Sequence, residues 1–243
     1  MRNLARNSFF QFKQFRIEQD RCAMKVCTDA CTFGAWAELS DAKRILDIGT
    51  GTGLLALMAA QRNPVATIDA VEIEADAAQQ AEGNFQASPF SNRIHLFQTA
   101  IQDFEPTERY DTILVNPPFY QNDLRSSEPK TNQAQHALSL TFDELLFAVT
   151  RLLKKDGTWH ILLPLEEGKR LDFNAAGQGW IKQLELTLYH SSKHLPFRLM
   201  QSFSKNRERI EGLISDSLAV YEAESASHTL AFRQLLRDFY LKF

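Results

Sequence analysis

Apolar and polar positions change rhythm along this chain, and the changes mark out its elements. Residues 1 to about 26 alternate: Phe10, Phe12, Phe15 and Ile17 stand among Gln11, Lys13, Gln14 and Arg16. That two-residue period predicts a strand or hairpin ahead of the main fold. Thr28–Leu39 reads as a helix capped by Thr28 or Asp29, with Ala30, Phe33, Trp36 and Ala37 turned inward. Short apolar runs then alternate with helical patterns. Strand Ile45–Ile48 precedes helix Leu54–Gln61, strand Thr67–Val71 precedes helix Ala75–Phe85, and strand Ile94–Phe97 leads to a short segment at Ile101–Phe104. Strand Thr112–Val115 runs into a polar stretch, Tyr120–Gln135, with little periodicity.

Helix Phe142–Leu153 carries Leu145, Leu146, Val149 and Leu152 on one face, and Lys154, Lys155, Asp156 and Gly157 read as its end. Strand Trp159–Leu163 and a helix over Leu165–Ala175 follow. The last two strands, Leu184–Tyr189 and Leu199–Phe203, leave no room for a crossover helix and are expected to be antiparallel neighbours. The tail from Leu218 to Phe243 reads as helical. Alternating βα units predict an α/β fold: a mainly parallel twisted sheet, helices on both faces and an antiparallel C-terminal hairpin. A single domain is expected over residues 1–243, with residues 1–26 as a basic extension or hairpin packed on it.

Composition narrows the classes. Hydrophobic residues make up 44% of 243, enough for a sizeable core, and the net charge of −3 excludes a histone-like or polybasic membrane-binding chain. Local basic runs remain, at Arg2, Arg6, Lys13, Arg16, Arg21 and Lys25, and again at Lys193, His194, Arg198, Lys205, Arg207 and Arg209. Either suits a polyanion or a solvated face. The three cysteines, Cys22, Cys27 and Cys31, have no fourth ligand at zinc spacing, and the six histidines show no paired spacing, so no metal is expected. No apolar run approaches the ~18 residues of a membrane span, and the N-terminus lacks a signal-peptide core. A cytoplasmic protein, without membrane association, is expected.

The chemistry begins at ILDIGTGTGLLA, residues 45–56. A buried strand feeding Gly49, Gly51 and Gly53 into a helix N-terminus is the opening of a nucleotide-cofactor site. The spacing alone leaves a dinucleotide open. Glu72, closing the second strand, is placed to accept hydrogen bonds from ribose hydroxyls, and Asp47 is a carboxylate inside an apolar strand, where burial demands hydrogen bonds or a cationic partner. The most informative stretch is Asn116-Pro117-Pro118-Phe119. Two prolines remove two N–H donors where a strand ends, so carbonyl oxygens and the Asn116 side chain form a set of acceptors suited to a planar NH2 group. Phe119 supplies a ring for stacking.

LDIGTGTG, the acidic Glu72 and NPPF, in this order, resemble an S-adenosylmethionine-dependent methyltransferase of the Rossmann-like class, and NPPF resembles the signature of enzymes acting on exocyclic or amide nitrogens. FKQFRIEQDRCAMKVCTDACTFGAW near the N-terminus and the C-terminal FYLKF extend the likeness to the bacterial valine-tRNA adenine-N6 methyltransferases, over nearly the whole chain. The resemblance implies methyl transfer from S-adenosyl-L-methionine, leaving S-adenosyl-L-homocysteine, to N6 of an anticodon-loop adenine. It implies Asn116, Pro117, Pro118 and Phe119 as catalytic residues. Lys25, Thr28, Asp47, Gly49, Gly51, Gly53, Glu72, Ile101 and Asn116 would hold the cofactor, with Lys25 and Thr28 closing over its methionine end. The partner implied is valine tRNA, and the protein is expected to act as a monomer.

The chain departs from the family pattern twice. Cys27 and Ala30 stand where glycines usually flank the Thr-Asp pair, and Thr99-Ala100-Ile101-Gln102-Asp103 lacks the acid usually found after the third strand, leaving Asp103 or backbone near Ile101 to substitute. Four rivals remain: a protein glutamine N5-methyltransferase, an rRNA guanine N2-methyltransferase and, from other classes, an NAD-binding oxidoreductase and a non-catalytic RNA-binding protein that kept the cofactor fold.

Overall fold

A computed structural model describes residues 8–22, 24–117, 140–206 and 212–243. Phe9–Gln11 (β1) and Arg16–Glu18 (β2) form the N-terminal hairpin, and Thr28–Trp36 (α1) leads into the main sheet. Arg44–Ile48 (β3), Leu54–Arg62 (α2), Thr67–Glu72 (β4), Ala75–Gln86 (α3), Ile94–Gln98 (β5) and Tyr110–Val115 (β6) follow as alternating units. Phe142–Leu152 (α4), Leu153–Leu163 (β7), Leu165–Gly177 (α5), Ile181–Tyr189 (β8), Pro196–Ser204 (β9), Ile214–Ala219 (β10) and Leu230–Leu236 (α6) complete the described elements.

The eight-stranded sheet has the order β10-β8-β9-β7-β6-β3-β4-β5. β3 to β7 are mutually parallel, and β10 is parallel to β8, so β9 alone runs against the rest. Alternation within each strand sends its side chains to two different cores. Ile45, Ile68, Leu114, Leu162 and Met200 pack with α1, α2, α3, α6 and the hairpin's Phe12, Phe15 and Ile17. Leu46, Ile48, Ile113, Trp159, Ile161 and Phe203 pack with Leu145, Leu146 and Val149 of α4 and Leu171 of α5. Among the described residues, no helix is long and apolar enough to cross a membrane.

Four expectations are corrected. Lys154–Gly157 do not end a helix; β7 starts at Leu153 directly after α4 and takes them into its eleven residues. The late antiparallel pair does form, but β9 inserts between β7 and β8, and β10 is the edge. The tail is therefore not helical from Leu218. Ile214–Ala219 pairs in parallel with Leu184–Tyr189, and only Leu230–Leu236 is helix, capped by the Thr229 side chain on Phe232 N. Because β10 is an exposed, serine- and aspartate-bearing edge strand, it has little apolar alternation to betray it. Finally, α1 is capped neither by Thr28 nor by Asp29: Cys27 occupies the N-cap and offers no side-chain bond, and the helix stops at Trp36, short of Leu39.

Candidate active site

The parallel strands deliver the predicted residues to one edge. Ile48 pairs with Val71 on one side and Val115 on the other, so Gly49, Glu72 and Asn116 each lie one residue beyond a common row. The glycine turn, the acid and the acceptor pair are thereby set side by side at the carboxyl ends of β4, β3 and β6, where ligands bind in open α/β sheets. Asn116 and Pro117 are half-buried. Pro118, Phe119 and the Tyr120–Gln135 stretch with Arg125 and Lys130 lie outside the described residues.

All three turn glycines adopt left-handed backbone, with φ of 70° at Gly49, 57° at Gly51 and 85° at Gly53. Among the described residues, nothing lies within 4 Å of where a Cβ on Gly49 or Gly51 would stand. Gly53 differs, since a Cβ there would run into the Phe85 ring. The turn is tied down by Gly49 N and Thr50 N donating to Val71 O at 2.9 and 3.1 Å, and by Gly51 N donating to Glu72 Oε2 at 2.8 Å. Glu72 Oε1 accepts from Ile73 N and Glu74 N, each at 3.0 Å. Three donors on a carboxylate with about four lone-pair positions leave room for a hydroxyl.

Asp47 is wholly buried; its Oδ2 accepts from Thr50 Oγ1 at 2.6 Å and Ala56 N at 3.2 Å, while Oδ1 has no partner among the described residues. Burial pushes its carboxyl up to about 7, against the pull of the Thr50 and Ala56 hydrogen bonds, and Glu72 adds a smaller upward push. A carboxylate raised in the folded state takes up a proton the unfolded chain does not hold. Folding stability is therefore expected to fall as pH rises from about 4 to about 7, by on the order of 3 to 4 kcal/mol. Asp47→Asn should flatten that decline, measured as the difference in urea midpoint between pH 5 and pH 8. An unchanged difference would mean Asp47 is not the group responsible.

Ile101 is buried in the same apolar core as Phe104, so only its backbone is available to a ligand. That turn is braced from a distance: Arg151 of α4 donates to Phe104 O at 2.6 Å, Ile101 O at 2.8 Å and Gln102 O at 3.3 Å. Asp103 is exposed in the same turn. Arg151→Ala should raise the cofactor Kd by about tenfold through a loosened turn, and Arg151→Lys should not restore it, because an ammonium cannot reproduce the planar fork. Calorimetric titration checks this; equal affinity in all three proteins would remove Arg151 from the site's support.

A second brace escaped the sequence reading as well. Asn84 of α3 is 2% exposed; it donates to Thr52 O at 2.8 Å and Glu18 O at 3.0 Å and accepts from Glu18 N at 2.9 Å. One side chain thus joins the glycine turn to the N-terminal hairpin. Thr28 is the first residue of α1, where its carbonyl accepts from Thr32 Oγ1, and Lys25 is exposed just before it. Neighbouring Asp29 pairs with Arg198 Nε at 2.8 Å, tethering this end of α1 to β9.

The basic runs divide. Lys13 donates to Phe243 O at 2.7 Å and to Arg237 O, and Arg16 pairs with Glu18 at 2.7 Å, so these two cations serve the hairpin's own packing. Lys193, His194 and Arg198 lie near the start of β9 and Lys205 just past its end, with its ammonium 4.5 Å from the centroid of the Trp180 ring. Along β9 Arg198 and Lys205 stand about 23 Å apart, so they form no single patch. Arg207 and Arg209 lie outside the described residues. A cavity of about 980 Å³ lies at the opposite edge, between the Glu38–Ala42 turn and the beginnings of β6, β7 and β8, away from the glycine turn.

Residues 35–163 match the methyltransferase small domain family. A tRNA1(Val) (adenine(37)-N6)-methyltransferase of Dyadobacter fermentans is 52% identical, the match covering 99% of this chain and 100% of that one. A protein of the same name from Bacteroides thetaiotaomicron is 39% identical over 97% of this chain and 98% of its own. Among solved structures, a predicted O-methyltransferase from Agrobacterium tumefaciens superposes with a TM-score of 0.67 at 15% identity, covering 86% of this chain and 96% of that chain. A glycopeptide N-methyltransferase complexed with S-adenosyl-L-methionine gives 0.55 at 10% identity, covering 74% and 93%.

Proposed function

This chain belongs to the family of tRNA1(Val) (adenine(37)-N6)-methyltransferases, built on the methyltransferase small domain, and from that premise we propose that it methylates N6 of an adenine in the anticodon loop of valine tRNA. The whole chain is taken as one methyltransferase domain, acting in the cytoplasm as a monomer and without a metal. One observation carries the site assignment: Asn116 and Pro117 close β6 directly beside the glycine turn that closes β3.

The residues present fit S-adenosyl-L-methionine. Among the described residues, Gly49 and Gly51 leave space over the turn, Glu72 keeps a lone-pair position for a ribose hydroxyl, and Asp47 Oδ1 has no partner and would take a donor or cation. Lys25 and Thr28 would cover the methionine end, and the backbone around Ile101 would meet the adenine. When bound, the cofactor supplies an electrophilic methyl group.

What this chain's residues must do is make a poor nucleophile competent. The adenine amine shares its lone pair with the ring. Asn116 Oδ1 and the Pro117 carbonyl would accept its two hydrogens, draw the nitrogen toward tetrahedral geometry and return electron density to it. No general base is required before attack, because the nitrogen becomes acidic only as the new bond forms. Positioning then does most of the catalytic work. The target base must leave the loop stack to reach these acceptors, with the ring of Phe119 as its stacking partner.

Transfer of labelled methyl to an unmodified cell extract containing tRNA, rRNA and protein, followed by fractionation and nucleoside analysis, tests the reading. Label in N6-methyladenosine of valine tRNA is expected. Label in protein alone would move the assignment to a glutamine methyltransferase, and label in a guanine N2 position of rRNA to the other nitrogen-directed rival.

A further inference from the structure

β8 and β10 run parallel to β6, so their carboxyl ends emerge at the same edge as Asn116. β8 stands three strands from β6 in the sheet order, about 14 Å at ordinary strand spacing. What these ends carry is unusual for a surface turn. The exposed His190 imidazole stacks on Phe197 with ring centroids 4.4 Å apart and planes 10° from parallel. The Arg198 guanidinium is 5.6 Å from the Phe197 centroid, and its Nε pairs with Asp29 beside Thr28, at the expected cofactor mouth. Tyr221 N donates to His190 O at 2.8 Å, which brings the next strand's end alongside. Tyr221 in turn stacks on His228 at 4.8 Å and 28°. Leu195, at the tip of the β8–β9 turn, is 87% exposed.

Two of the cations here are already paired, Lys193 with Glu224 at 2.5 Å and Arg198 with Asp29, while Arg233 and Lys242 lie close enough to His228 to act on it. The ends of β8 and β10 thus offer flat ring faces beside a modest positive charge. Every stacking ring in it lies beyond residue 163, where the match to the common methyltransferase domain ends, and within the span shared with the tRNA-modifying relatives.

We propose that His190, backed by Phe197, together with Tyr221 backed by His228, forms a stacking platform for unpaired bases of the tRNA loop flanking the target adenine. The platform rests on the tRNA reading above and adds to it a recognition surface remote from the reacting atoms. Bases splayed from a loop are held in this way on aromatic and imidazole faces, largely independently of their identity. The backbone hydrogen bond between Tyr221 and His190 fixes the two stacks relative to each other. The Asp29–Arg198 pair fixes both relative to the cofactor entrance.

Steady-state methylation of unmodified valine tRNA by the full chain tests this. His190→Ala should raise KM for tRNA about tenfold, the scale of one lost base stack. KM for the cofactor should stay within twofold, as should the slope of log KM against log salt, since no phosphate contact is lost. His190→Phe, which keeps a flat ring, should restore KM for tRNA. Unchanged KM for tRNA in His190→Ala, a matching rise in KM for the cofactor, or a salt slope reduced by about one would each overturn the platform. If the unaltered protein placed no label in tRNA, the function itself would fall and the platform with it; label from the unaltered protein with an indifferent His190→Ala overturns the platform alone.

Discussion

Asn116→Ala is expected to lower kcat for tRNA methylation by about a thousandfold while the Kd for S-adenosyl-L-methionine stays within a few-fold. The size follows from what the side chain is asked to do. Preorganised hydrogen-bond partners aimed at the reacting group are worth about 10² to 10³ in rate when one is removed, because water cannot supply the same geometry at the moment of reaction. Asn116 is held for that role by the sheet. It follows Val115, which is 1% exposed and paired with Ile48, so its position relative to the glycine turn is set by two buried strands, not by a loose loop. Asn116→Asp keeps an acceptor oxygen and should retain at least about ten times the activity of the alanine variant. Single-turnover rates with saturating tRNA, alongside calorimetric Kd values, separate the two effects. A loss of cofactor affinity as large as the loss of rate would make Asn116 a cofactor ligand and leave the amine without its proposed acceptor.

Much of this edge was legible in the sequence because the information is local. Gly49, Gly51 and Gly53 announce left-handed backbone, and each is found in it. Short apolar runs announce strands, and parallel pairing then forces Glu72, Gly49 and Asn116 into one row without any further instruction. What was not legible depends on reach. Arg151 braces carbonyls 47 to 50 residues away, and Asn84 joins groups 32 and 66 residues away. An arginine on a helix or an asparagine in an alanine-rich one has no periodicity that reveals such bonds. The missed strand β10 has the same root. β10 is a strand because β8 offers it an edge, not because its residues alternate, and the four outward positions from Ile214 to Ser217 read like solvent-facing sequence of any kind. Lys154 and Lys155 misled in the opposite way. They match a helix C-terminus locally, but Lys154 is drawn into β7 with its ammonium on Asp111 at 2.7 Å.

Two alanine substitutions in the glycine turn, two residues apart, are expected to fail for different reasons. Gly51→Ala should fold, losing about 1 kcal/mol, the scale of one residue forced into left-handed backbone. Its methyl group would enter space with no atom of the described residues within 4 Å. That same space is where the proposed cofactor lies, so its Kd should rise at least about a hundredfold. Gly53→Ala meets protein instead. Its Cβ would collide with the ring of Phe85, a residue of α3 that is 2% exposed, so the buried ring must shift to make room. Overpacking of this kind typically costs about 1 to 3 kcal/mol on top of the backbone strain, so Gly53→Ala should lose more than twice the stability that Gly51→Ala does. The companion change Phe85→Leu should recover part of that loss in the Gly53→Ala background while being destabilising alone, and no such rescue should occur with Gly51→Ala. Urea denaturation of the five variants and the unaltered protein, with cofactor titrations on those that fold, reads the whole set. Equal stability of the two alanine variants would mean that Phe85 does not close the floor of the turn. Unimpaired cofactor binding by Gly51→Ala would mean that the open face of the turn is not the cradle.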